Sequence, residues 1–544
     1  MIGTDMLEAA PAPAAAEDRA IGFVLDVAGG GAKILLRLAR LHALDGAAGG
    51  RAGEVGAQVK IRTGALWVVG TVRSLTLDRT DPDQAIAELD FLGEAPVGDG
   101  PGLRDFRRGV TRYPLPGAAV IATDPADLRA IFAADERPHI EIGMVHPSAD
   151  VRAALQIDAL LGRHFALVGS TGTGKSTSLA LILHRICEAA PDGHVVMIDP
   201  HGEYAAAFDG YGELFDVENL ALPYWLMNFE EHAEIMLTVS GPERQRDLEV
   251  LGRCLLAARQ KSRLAEGMSK VTVDSPLPYL LSDLVAIVVQ DMGKLERAGD
   301  TGAHVRIKTR LDELRSDPRF AFMFSGMLVG DTMASTLARL FRLPTRGKPI
   351  SIIDVSGVPS EVTSVVVALL SRLVFDYAIW ARHEQTRPIL LVCEEAHRYV
   401  PSERVSSGAA VRRVLERIAK EGRKYGVALG LVTQRPSDLA EGVLSQCGTI
   451  IAMRLNNERD QAHVRAAMPE GARGFLDMVP ALRNRECIVC GEGVSVPVRV
   501  SLDTLDKGRR PASGDPLFSD LWRGSGEEEE TIARVINRWR RQGR

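Results

Sequence analysis

Gly169-Ser-Thr-Gly-Thr-Gly-Lys175-Ser176 follows the apolar run His164 to Val168 and leads into the helix-like stretch Thr177 to Ala189. All four fixed positions of the GxxxxGK[ST] pattern are filled, and a strand before with a helix after is the setting in which that pattern cradles phosphate. Gly169, Gly172 and Gly174 let the backbone turn tightly, so that N–H groups converge on phosphate oxygens near the positive end of a helix. Lys175 adds a mobile charge for the β and γ phosphates, and the Ser176 hydroxyl is a ligand for Mg²⁺. The run Gly169, Ser170, Thr171, Gly172, Thr173, Gly174, Lys175, Ser176 and Thr177 is therefore the candidate nucleotide-binding segment.

Working outward, strand-like runs recur at His164–Gly169, His194–Asp199, Pro349–Asp354, Pro388–Glu394, Val427–Thr433 and Thr449–Met453, with helical patterns between most of them. That alternation predicts an α/β fold, a mainly parallel sheet covered by helices, with ligands at the carboxyl ends of the strands. From residue 229 to 343 the strand signal fades and helical spacing takes over, as in Leu248, Leu251, Leu255 and Ala258, or Leu280, Leu284, Ile287 and Val288. A helical insertion is expected there. Upstream, Gly22–Val27, Ala32–Leu36, Val59–Arg62, Leu66–Val72 and Ala85–Asp90 are short β-type runs between Gly-rich turns, the pattern of a small β-barrel. A Gly/Pro-punctuated segment from Gly102 to Asp127 then links barrel to core.

The resulting division is a disordered leader (1–18), the barrel and linker (19–116), a first core segment (139–228), the helical insertion (229–343), a second core segment (344–502) and a C-terminal extension (503–544). A length of 544 residues suits several such units at roughly 150 residues per domain. The net charge of −6 carries no global basic signature, so contact with nucleic acid must come from a local stripe or an assembled channel. The final stretch, with Glu527–Glu530 early and Arg534, Arg538, Arg540, Arg541 and Arg544 late, reads as one helix whose charges complement its dipole. The longest apolar run, Val365 to Trp380, is interrupted by Ser371, Arg372 and Asp376, so no membrane span is expected. Six dispersed cysteines suit a reducing, cytoplasmic setting, and Cys487-Ile-Val-Cys490 reads more simply as strand than as a metal or redox pair.

Pro388-Ile-Leu-Leu-Val-Cys-Glu394-Glu395-Ala-His397 is an apolar strand ending in two acids. In a phosphate-loop enzyme the first such acid organises Mg²⁺ and the second orients or activates the attacking water. Glu394 stands where Asp is more usual, and its extra methylene is expected to leave the metal held through water. Asp199-Pro-His-Gly-Glu-Tyr204 also ends a strand on the nucleotide side, with Asp199 and Glu203 as possible acids behind the metal and His201 as a phosphate or partner contact. As bare residues these are more often turn formers. Gln434, at the end of Val427–Thr433, is placed to sense the γ phosphate, and Arg423 or Arg435 to donate charge to it across a subunit boundary.

These blocks, with Leu161-Gly-Arg163-His164, Leu222-Pro-Tyr-Trp-Leu-Met-Asn228 and Ile352-Ile-Asp-Val-Ser-Gly357, resemble the HerA-type hexameric DNA translocases, P-loop ATPases of the HerA/FtsK class, and stand in that family's order through most of the chain. The resemblance implies a RecA-like core behind a barrel called the HAS barrel. It implies a homohexamer that uses ATP and Mg²⁺ to move double-stranded DNA, with a nuclease partner, NurA-like or another defence effector, docked on the barrel. DNA end processing and antiviral (phage) defence are the implied settings. By the same resemblance Glu395 is the catalytic acid, Gln434 the sensor, Arg423 the trans arginine and Arg163 a second arginine at the nucleotide of a neighbouring subunit, while Ser176 and Glu394 serve the metal. Arg404, Arg412 and Arg413 are candidates for the pore side. Two alternatives stand beside this reading: an ATP-regulated hexameric scaffold that activates an effector enzyme, and a conjugation or type IV secretion ATPase.

Overall fold

The computed structural model describes residues 19–48, 53–98, 102–132, 136–148, 150–294, 301–384, 387–402, 408–468, 473–512, 518–523 and 529–541. The expected leader (1–18) and Arg404 lie outside them.

At the N-terminus, strands β1 (Ala20–Ala28), β2 (Gly31–Arg37), β3 (Gln58–Thr63), β4 (Leu66–Leu77), β5 (Gln84–Pro96), β6 (Arg107–Arg108) and β7 (Ala119–Ala122) form one antiparallel sheet. It runs β2-β1-β7-β3-β4-β5 and closes on itself where β2 pairs with β5, from Gly31 opposite Asp90 to Arg37 opposite Gln84. The closed barrel leaves no free edge along these six strands. Alternate residues point inward, and Ile21, Val24, Ile34, Leu36, Val59, Ile61, Val72, Leu89 and Val120 fill the interior. The closing strand β7 comes from the segment expected to be a linker, beyond residue 116. Four residues between Gly117 and Thr123 are too short a β run to stand out in sequence, and only pairing with both β1 and β3 defines them as a strand.

The core sheet comprises β8 (His139–Val145), β9 (Arg152–Gln156), β10 (Phe165–Val168), β11 (His194–Asp199), β12 (Gly212–Phe215), β13 (Ile350–Asp354), β14 (Ile389–Cys393), β15 (Val427–Thr433), β16 (Thr449–Met453), β17 (Glu486–Gly491) and β18 (Val498–Leu502). Their order is β12-β13-β11-β14-β15-β10-β16-β17-β18-β8-β9. Pairing is parallel from β12 to β16 and antiparallel from β16 to β9. The central strands β10, β11, β14, β15 and β16 are buried at every position, as continuous apolar runs covered by helices on both faces must be. All six strands expected from the core sequence are present. The fold is a RecA-like α/β core with an N-terminal barrel and a helical insertion.

Between residues 229 and 343 the described residues contain helices and no strand, the longest helices being Pro242–Gln260, Gly302–Ser316 and Leu281–Gly293. Leu251, Leu255, Ala258, Leu284 and Val288 are buried, as their spacing predicted, while Leu280 precedes its helix and is exposed. Helix Phe229–Met236 joins this insertion to the core. Its capping box pairs Asn228 with Glu231, and the buried Glu231 carboxylate also accepts from Arg372 at 2.8 and 3.0 Å. Arg372→Met leaves that acid without its cation, so the protein is expected to lose about 3–5 kcal/mol of stability in urea unfolding. The double variant with Glu231→Leu should recover some of the loss. Arg372 sits in helix Ser360–Trp380, which is apolar and long enough to cross a membrane, but 67% of its most apolar window is buried inside the fold.

The terminal helix Glu529–Arg541 is present, with Arg534 paired to Glu530 one turn earlier at 3.6 Å. Cys487 and Cys490 are buried in β17, and burial pushes the Cys490 thiol up to about 12, which suits the strand reading.

Candidate nucleotide site

The loop Gly169–Gly174 leaves the carboxyl end of β10 between the ends of β15 and β16. Gly169 N–H donates to Thr433 O at 3.3 Å and Ser170 N–H to Arg454 O at 2.8 Å, so both neighbouring strands anchor the loop. Gly172 (φ +77°) and Gly174 (φ +98°) occupy the left-handed region, which a side chain resists. Gly174 also sits at the N-terminus of helix Lys175–Ala189, so the turn delivers the chain directly into the helix whose positive end faces the loop. Thr173 and Lys175 both fold back onto Ser170 O, at 2.8 and 3.1 Å. The Lys175 ammonium is held below its ordinary range by burial, against the opposing pull of Glu395, Glu394 and Glu203. A buried cation among carboxylates is the arrangement a phosphate chain completes.

β14 brings the two acids to the same end of the sheet. Glu394 is buried, and its Oε1 accepts the Tyr204 hydroxyl at 2.8 Å. Burial pushes this carboxyl up to about 8; the tyrosine hydrogen bond lowers it, and Asp199, Glu203 and Glu395 push it further up. Glu395 lies in the left-handed conformation (φ +51°), a costly one for a residue with a side chain, at the turn from β14 into Ala396–Arg398. Its Oε1 lies 4.0 Å from His201 Nε2 and its Oε2 3.2 Å from His397 Nδ1. That same ring nitrogen pairs with the Thr433 hydroxyl at 3.0 Å, and burial lowers the imidazole's affinity for a proton despite Glu395. Oε2 of each acid is buried with no hydrogen-bond partner among the described residues. Together with the Ser176 hydroxyl they form a set of hard oxygen donors with unspent acceptor capacity, which fits a divalent cation such as Mg²⁺.

β15 supplies the third wall. Gln434, just past Thr433, accepts the Thr171 hydroxyl from the phosphate loop on its Oε1. Beyond this contact lies a polar cavity of about 510 Å³ lined by Ser170, Thr171, Gln434, Arg435, Asp438 and Arg459 among others. Arg435 is exposed and paired to Asp438 at 3.7 Å.

Lys175, Ser176, Glu394, Glu395 and Gln434 therefore converge, but Arg163 and Arg423 do not join them. Arg163 precedes β10 and pairs with Glu492, with its carbonyl held by Gly448 N–H at 2.7 Å. Arg423 is exposed in the last turn of helix Ala409–Tyr425, just before β15 begins. β10 and β15 are parallel, so both arginines lie at the amino ends of strands whose carboxyl ends carry the loop and Gln434. The seven residues of β15, at ~3.3 Å per step, separate its two ends by about 20 Å. Of the pore-side candidates, Arg412 pairs with Glu416 and Pro401 O, and Arg413 with Glu230.

Asp199 acts as a turn-former. Its Oδ1 accepts from the N–H groups of His201 (3.0 Å) and Gly202 (2.9 Å), and its Oδ2 from Tyr204 N–H (3.0 Å). Sequence reasoning missed Tyr204 and Thr433 as contact residues. The signal available was only that Tyr204 closes a polar strand-end turn with an aromatic, which a surface turn seldom needs.

A phosphate loop facing two strand-end acids and a polar strand-end glutamine on a RecA-like sheet defines a P-loop ATPase. Residues 140–374 match the family Helicase HerA, central domain. The DNA double-strand break repair helicase HerA of Pyrococcus furiosus is 25% identical over 438 residues, 74% of this chain and 75% of that one. The probable DNA double-strand break repair helicase HerA of Methanocaldococcus jannaschii is 25% identical over 470 residues, 81% of this chain and 88% of that one. VirB4 of Thermoanaerobacter pseudethanolicus shares the fold at TM-score 0.50 and 13% identity, over 69% of this chain and 99% of its own. Residues 140–374 are thus similar to the central domain of HerA helicases, and the likeness to HerA relatives runs over most of the chain.

Proposed function

We propose that this protein is an ATP-driven translocase and helicase that moves on double-stranded DNA in the cytoplasm as a homohexamer, serving a nuclease partner docked on the N-terminal barrel in DNA end processing or phage defence. The relatives' printed roles in DNA double-strand break repair support the DNA substrate. The observation that carries the assembly is the split site: Lys175, Glu394, Glu395 and Gln434 at one end of the sheet, Arg163 and Arg423 at the other. A head-to-tail contact between copies sets unlike surfaces together and closes into a ring when its rotation allows. Such a contact brings the amino ends of one sheet towards the carboxyl ends of the next, and with them arginines to a phosphoryl group that no subunit serves alone. In this reading the loop amides and Lys175 bind and orient the phosphates. Ser176 and Glu394, the latter through water, are the residues that would hold Mg²⁺, which would supply positive charge to the phosphates. Glu395 takes a proton from the attacking water, and Gln434 couples the γ position to the end of β15 and the loop beyond it.

Displacement of a protein roadblock from duplex DNA tests this directly. ATP-dependent, directional displacement by the assembled protein is the expected result. ATP turnover by an intact ring that never clears a roadblock overturns the motor reading and leaves an ATP-regulated scaffold.

A further inference from the structure

The turn Asp199–Tyr204 is built around one carboxylate, and what it positions is a phenol. With three N–H groups tied to Asp199, the chain folds back and sends the Tyr204 ring inward, where it has no exposed surface. Its hydroxyl donates to Glu394 Oε1 at 2.8 Å. A phenol has a single proton. That proton is committed to the Glu394 carboxylate. The result is a hydrogen bond that ties the turn after β11 to the end of β14. Glu394 is one of the groups the site offers to a divalent cation, and its Oε2 remains buried and unpartnered. Glu394 also carries one methylene more than the aspartate usual at such positions, so it has an additional torsion to fix. Tyr204 is the group that holds the near oxygen of this longer side chain.

We propose that Tyr204 is a positioning residue for the divalent cation: by holding Glu394 Oε1 it sets this carboxylate in advance and raises the metal affinity of the nucleotide site. This rests on the reading of Gly169–Ser176 as that site. Groups that orient metal ligands commonly change metal affinity by about 10–100-fold when removed.

The test uses the full chain and Tyr204→Phe, which keeps the ring and deletes only the hydroxyl that holds Glu394. Binding of a fluorescent ADP analogue is titrated without metal and then with increasing Mg²⁺, and Mn²⁺ binding in the presence of ADP is followed by electron paramagnetic resonance. The expected result is metal-free ADP affinity within about twofold of the parent, with at least ~10-fold more Mg²⁺ or Mn²⁺ needed for half-saturation. An unchanged metal requirement overturns the proposal, as does an equal loss of metal-free and metal-dependent binding, which marks a merely structural role. Because Tyr204 is argued to act through Glu394, adding Tyr204→Phe to Glu394→Gln should weaken metal binding by less than about twofold further; full additivity overturns the proposal as well. Lys175→Ala separates the two layers. If that variant keeps parental ADP affinity, the nucleotide-site reading itself fails, whatever Tyr204 shows.

Discussion

Glu395→Gln is expected to bind ATP at least as tightly as the parent and to turn it over ~10²–10⁴-fold more slowly, the usual share of a positioned general base. The substitution keeps the size of the side chain and removes its charge and its capacity to take a proton. Burial already holds the Lys175 ammonium below its ordinary range while Glu395 acts against that shift, so neutralising Glu395 removes an anion from the space a triphosphate enters. Binding should therefore hold or tighten as catalysis falls. Titration of a fluorescent ATP analogue gives the first quantity and phosphate release at saturating ATP the second. Turnover near the parental rate would remove Glu395 from the catalytic role and shift attention to His397, 3.2 Å from its Oε2. The left-handed backbone at Glu395 fits the same role, because strain there aims the carboxylate into the site instead of along the strand.

Much of this site was legible because its chemistry is written locally. Gly169–Ser176 is one contiguous pattern between a strand and a helix, and Glu394, Glu395 and Gln434 each stand at the end of an apolar run, so knowing that parallel strands share an end was enough to bring them together. What escaped were features defined only by long-range pairing. β7 is a strand because β1 and β3 flank it, and β12 because β13 does. Apart from β17, read as strand at Cys487–Cys490, the antiparallel half of the sheet escaped for a related reason. β8 and β9 precede the phosphate loop in sequence yet lie at the far edge, reached through β18, and no periodicity encodes such an order. Asp199 shows the limit for side chains. An acid at a strand end facing phosphate suggests metal chemistry, but its oxygens are taken up by three backbone N–H groups, and the functional side chain of that turn is the tyrosine five residues on.

The positions of Arg163 and Arg423 yield the other large effect. Arg423→Ala is expected to lower the ATPase of the assembled protein by ~10³–10⁵-fold, the range associated with an arginine supplied to a transferring phosphoryl group. Loss alone does not show that the arginine comes from a neighbour, but mixing does. Subunits carrying Arg423→Ala retain a sound phosphate loop and offer no arginine; subunits carrying Lys175→Ala offer the arginine and cannot use their own loop. Each homogeneous ring is therefore inactive. In a mixed ring, an intact Lys175 meets an intact Arg423 wherever an Arg423→Ala subunit receives a Lys175→Ala neighbour in the right order. At equal proportions about one interface in four has this composition, so activity near a quarter of the parental value per interface is expected if interfaces fire independently. The order of mixing should not matter, and activity should peak at equal proportions and vanish at either extreme. If Arg423 instead served its own subunit, no mixture would restore turnover, because every subunit would carry one lesion of its own. The ~20 Å of strand between the two ends of the sheet makes that cis outcome the one the fold disfavours, and persistent inactivity in rings proven to be mixed would overturn the trans assignment.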